Sequence, residues 1–81
     1  MKKQVPIIDK FGNKRWYNEA GKVHRENGLP AIEYANGSKF WFINDKFHRE
    51  NNLPACIFPT GTKFWYLNGV RYRTDKWIDK L

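Results

Sequence analysis

Apolar and polar residues alternate along this chain in runs of roughly four to six, separated by clusters of Asn, Gly, Pro and Asp, and this rhythm predicts short β-strands. Asn68-Gly69 lies between Lys63–Leu67 and Val70–Arg73 and supplies the two residues of positive φ that a tight antiparallel hairpin needs. Asn44-Asp45 occupies the same place upstream. Earlier still, the connection is one residue longer, Glu19-Ala20-Gly21, with glycine where a three-residue hairpin takes a left-handed residue. Asn36-Gly37 and Pro59-Thr60-Gly61 mark a second set of turns, so the chain reads as a meander of short antiparallel strands.

The rhythm is that of an internal repeat. Pro30-Ala31-Ile32-Glu33-Tyr34-Ala35-Asn36-Gly37-Ser38-Lys39-Phe40-Trp41-Phe42 aligns without a gap on Pro54-Ala55-Cys56-Ile57-Phe58-Pro59-Thr60-Gly61-Thr62-Lys63-Phe64-Trp65-Tyr66. A third copy starts at Pro6-Ile7-Ile8 and runs one residue short before Gly12. His24-Arg25-Glu26-Asn27 recurs as His48-Arg49-Glu50-Asn51. Three units follow, 6–29, 30–53 and 54–74, with a cap over 75–81 in which Trp77, Ile78 and Leu81, following the N-cap-like Thr74, predict a short C-terminal helix. The expected fold is all-β: a single antiparallel meander of three hairpin units.

With Asn44-Asp45 as the loop, the register counts outwards as Ile43–Lys46, Phe42–Phe47, Trp41–His48, Phe40–Arg49 and Lys39–Glu50. The first unit gives Trp16–His24 and Lys14–Glu26 by the same count. In the third unit the pairs become Tyr66–Arg71, Trp65–Tyr72, Phe64–Arg73 and Lys63–Thr74, so the cations persist while the acid is lost. On this reading His-Arg-Glu is hairpin chemistry, a Trp–His stack, an Arg over a Phe ring and a Lys–Glu ion pair.

Composition sharpens the picture. The 81 residues allow one small domain, and a mean hydropathy of −0.80 is offset by 14 aromatic side chains that supply the burial. Fifteen Lys and Arg against eight Asp and Glu give a net charge of +7, which points to polyanions or acidic proteins as partners. A lone cysteine, Cys56, excludes an intrachain disulfide and fits a reducing cytoplasm; it aligns with Ile32 and Ile8 and is expected to pack as a small buried apolar group. No apolar run suggests export or a membrane span.

The unit W-[YF]-x-N-G-x-x-H-R-E-[ND]-x-x-P-A resembles short repeats of small bacteriophage and large-virus proteins, and covers residues from about 6 to 74. It is also similar to MORN-type repeats in its aromatic strand and N-G turn, although the marker glycines of that repeat are mostly missing. The viral resemblance implies an accessory protein that disables a host defence or redirects a host enzyme, and transfers no catalytic residue.

His, Arg and Glu together are the groups that metal-free RNA cleavage uses, but the triplet is duplicated in register and each member has a predicted cross-strand partner, so the expectation is no enzyme. Two histidines 24 residues apart match no familiar metal site, and no cofactor is implied. Residues 51–74 contain no acid, and there Lys63, Arg71 and Arg73 alternate with Tyr66 and Tyr72, the mixture that follows phosphates and stacks bases. The expected function is a phage-encoded basic module that engages RNA or a ribonucleoprotein, inhibiting a host factor such as a toxin nuclease. The alternative is an inhibitor or adaptor docking an acidic host protein without nucleic acid. A homodimer is open, since a small sheet leaves edges and a wet face.

Overall fold

The computed structural model of the protein describes residues 4–73. The expected C-terminal helix, the Lys63–Thr74 pair and the basic residues Lys2 and Lys3 lie outside that range. Nine short strands form: β1 (Ile7–Ile8), β2 (Lys14–Arg15), β3 (Ile32–Glu33), β4 (Lys39–Phe40), β5 (Phe42–Ile43), β6 (Lys46–Phe47), β7 (Cys56–Ile57), β8 (Lys63–Leu67) and β9 (Val70–Tyr72). The described residues are all-β. No helix among them is long and apolar enough to cross a membrane.

The strands do not make the single meander the repeat predicts. Seven of them form one antiparallel sheet in the order β1-β2-β3-β4-β7-β8-β9, and β5-β6 is a separate hairpin, because β4 pairs with β7. Each unit therefore holds an inner and an outer hairpin. The inner ones, β1-β2, β3-β4 and β7-β8, share a loop that ends in left-handed glycine, at Gly12, Gly37 and Gly61. The outer ones carry the turns read from the sequence: Asn44-Asp45 and Asn68-Gly69 take positive φ at both positions, and Gly21 is left-handed. Outer registers match expectation, with Phe42 opposite Phe47, Trp65 opposite Tyr72 and Tyr66 opposite Arg71. Neighbouring outer hairpins are joined by two backbone bonds each: Asp45 N–H to Val23 O at 2.8 Å and Arg25 N–H to Phe42 O at 3.4 Å, then Gly69 N–H to Phe47 O at 2.8 Å and Arg49 N–H to Tyr66 O at 3.2 Å.

A turn absent from the sequence reading explains the split. Asn27 and Gly28, like Asn51 and Asn52, have positive φ, which bends the chain immediately after His-Arg-Glu and returns it to the inner sheet. The hairpin ladder stops there, so Phe40 does not face Arg49, and Glu26 and Glu50 do not face Lys14 and Lys39. Lys39 lies instead between Glu33 and Ile57. Shared loop geometry also moves the gap in the first unit: Ile7, paired with Arg15, takes the place of Ile32 and Cys56, which pair with Phe40 and Phe64. Cys56 is thus equivalent to Ile7, not Ile8.

Side chains sort by strand alternation into two faces. On one, Trp16 and Trp41 are buried with Ala31 and Ala55 beneath the returning segments. Trp41 Nε1–H donates to Gly28 O at 2.9 Å and Trp65 Nε1–H to Asn52 O at 3.0 Å, so each indole secures the turn of the preceding unit. Trp65 itself is half-buried, short of the core position expected for it. On the other face, half-buried rings touch in sequence. Tyr34–Phe40, Phe40–Phe58 and Phe58–Phe64 meet edge to face at 5.2, 5.5 and 6.0 Å, while Phe47 lies between Phe42 and Tyr66 at 4.2 and 4.7 Å.

Candidate functional site

Both histidines are fully engaged in the fold. His24 Nδ1 accepts the backbone N–H of Asn44 at 3.1 Å, which places the ring proton on Nε2, where it donates to Glu26 Oε2 at 2.5 Å. His48 repeats the arrangement with Asn68 N–H at 2.9 Å and with Glu50. Each His-x-Glu pair therefore clasps the outer turn of the next unit. The expected Trp–His relation survives only in the backbone, as His24 N–H to Trp16 O and His48 N–H to Trp41 O, at 3.0 and 3.1 Å.

The arginines between them lie on tryptophan, not phenylalanine. The guanidinium of Arg25 is 3.6 Å from the centre of Trp16, and that of Arg49 is 3.8 Å from Trp41. Both donate to the carbonyl of the next unit's proline, at Pro30 and Pro54. Their electrostatic surroundings differ. Arg25 reaches Glu33 at 3.4 Å, whereas the residue equivalent to Glu33 in the third unit is Ile57 and leaves Arg49 without a carboxylate among the described residues. Burial pulls the Arg49 pKa below its ordinary value, yet a guanidinium stays charged at any physiological pH.

Register brings the repeated lysines together. Across the inner sheet, directly opposite residues run Ile8, Lys14, Glu33, Lys39, Ile57, Lys63, so the three lysines share one face and one row. Successive lysines stand two strands apart, about 10 Å at the usual strand spacing. All three are exposed, and the tryptophan two residues beyond each lies on the same face. Glu26 and Glu50 are held by histidine and Glu33 by Arg25, so among the described residues no carboxylate forms an ion pair with Lys14, Lys39, Lys63 or Arg49.

The five residues singled out in the third unit do not form one cluster. Lys63 and Tyr72 share the lysine face with Trp65, and the Tyr72 hydroxyl donates to Asn52 Oδ1 at 3.4 Å. Tyr66 and Arg71 belong to the opposite, aromatic face, Tyr66 stacked on Phe47 and Arg71 lying 4.3 Å over Phe64. Arg73 follows β9 and is exposed. Lys14, Lys39 and Arg49 were missed because the continued ladder neutralised the lysines and buried the arginine on Phe40. The legible signal was Glu-Asn-Gly and Glu-Asn-Asn, a turn that ends the ladder.

Among the described residues no group of three metal-ligating side chains occurs. A cleft between segments 26–29 and 48–53, lined by Arg25, Trp41, His48 and Arg49, is about 170 Å³, below the ~300 Å³ at which small-molecule pockets begin, whereas an open groove beside Gln4, Tyr17, His24 and Glu26 is about 370 Å³. Cys56 is 4 % exposed, and burial pushes its thiol pKa up to about 11, which suits a packing group rather than a nucleophile. No protein-family model matches the chain, and no curated protein or solved structure is measurably similar to it.

Proposed function

We propose that this protein is a non-enzymatic binding module for RNA, its sugar–phosphate backbone following the lysine row and a base stacking at the Trp65–Tyr72 end. The observation that carries this reading is the row itself: three exposed ammonium groups at regular spacing, aligned by non-local pairing, none in an ion pair among the described residues. Regularly spaced cations suit a polymer of regularly spaced charge, and at the Trp65–Tyr72 end a partly exposed aromatic face accepts a base of any sequence. Glu33, the acid within the row, is paired with Arg25 at 3.4 Å. With its resemblance to viral repeat proteins, the module fits an inhibitor that engages a host ribonucleoprotein, such as a toxin nuclease with its RNA.

The second reading, docking on an acidic host protein, uses the same cations but needs no stacking. Fluorescence anisotropy of a labelled oligouridine separates them. Tyr72→Ala lowers affinity roughly tenfold if a base stacks there, since one base–aromatic stack is worth about 1–3 kcal/mol. Wild-type protein that fails to bind the strand at low salt rejects the RNA reading.

A further inference from the structure

We propose that the aromatic face is closed by a second copy of this chain, the two sheets packing face to face as a symmetric dimer. A sheet is stable when each apolar face meets another layer. On the tryptophan face the layer is intramolecular, made by the returning segments. The opposite face has no such cover among the described residues, and its seven touching rings are all only half-buried. No large side chain of the described protein is fully buried, and its shortest dimension is 17 Å against 45 and 27 Å.

Three features select a second copy. First, the broad side of the molecule, 45 by 27 Å along its principal axes, has room for the ~800 Å² that each partner contributes to a standard stable interface. Second, charge is arranged for self-association despite a net +7. The centre of the face is uncharged, Arg15 is paired with Asp9 and lies over Tyr34 near one end, Arg71 lies over Phe64 near the other, and the lysine row points away on the opposite side. Third, the rings are already occupied. Phe47 is sandwiched between Phe42 and Tyr66, and the Arg71 guanidinium covers Phe64, so the surface presents largely ring edges and apolar flanks. Such a surface suits interdigitation with another sheet more than stacking of free bases, and a sheet of the same twist packs against itself in an aligned sandwich.

The test is the mass of the RNase-treated protein in high salt, by light scattering on a sizing column and by sedimentation at several concentrations. The expected result is twice the 9.7 kDa of one chain. High salt strengthens apolar association and removes polyanion bridging. Phe58→Glu, between Phe40 and Phe64 in the ring series, is expected to give a folded monomer by circular dichroism and at least a hundredfold weaker self-association. A wild-type protein of 9.7 kDa in high salt overturns the proposal, as does a dimer that high salt dissolves or one that Phe58→Glu leaves intact. These outcomes are independent of what the lysine row binds, because Lys14→Gln, Lys39→Gln and Lys63→Gln leave the dimer unchanged even where they abolish RNA binding.

Discussion

Replacing Lys14, Lys39 and Lys63 together by Gln removes the whole row while leaving the sheet intact. The side chains are exposed and none forms an ion pair among the described residues, so stability is expected to move by no more than about 0.5 kcal/mol. Binding changes far more. Each phosphate neutralised on a single strand contributes about −0.7 to the slope of log K against log salt, so three lost contacts flatten the slope by about 2. With the salt-independent part of binding unchanged, affinity falls about 100-fold at about 0.1 M salt. The assay is anisotropy of a labelled oligouridine titrated across a range of salt. The control is a second triple variant, Lys10→Gln, Lys22→Gln and Lys46→Gln, whose lysines are also exposed but lie off the row. Both variants have the same net charge. Equal loss in the two would show that bulk charge, not the register-built row, determines binding, and the site would be wrong.

The histidine clasp is testable through stability. His24→Phe leaves the Asn44 N–H without its acceptor and Glu26 without its donor, and is expected to cost about 1–3 kcal/mol in urea unfolding. His48→Phe costs less, because its bond to Asn68 is exposed; equal costs would mean that shape rather than the clasp matters. For Cys56, the folded pKa of about 11 lies above the ordinary 9.0, so its contribution to stability is complete below about pH 9 and is lost as pH rises toward 11. At pH 8 a thiol reagent is expected to modify the native protein slowly and the urea-unfolded chain fast; equal rates would place Cys56 at the surface.

Local chemistry determined what was legible in the sequence. The three units, the strands, Asn44-Asp45, Asn68-Gly69 and the loop glycines follow from residue types that favour positive φ, a property each residue carries wherever it is placed. Once a turn is set, the register beside it follows by counting, which is why Phe42–Phe47 and Trp65–Tyr72 came out as expected. Counting fails where a second turn intervenes. Asn51-Asn52 has no glycine to announce it, and missing it assigned Glu50 to Lys39. Only the tertiary structure decided that β4 skips the adjacent hairpin to pair with β7, that Glu26 and Glu50 go to histidine, and that Lys63 and Arg71 point to opposite faces. The lysine row and the aromatic face are both products of pairing between units. Such pairing is selected by how all the apolar side chains bury together, an energy that belongs to the assembled sheet and to no single stretch of chain.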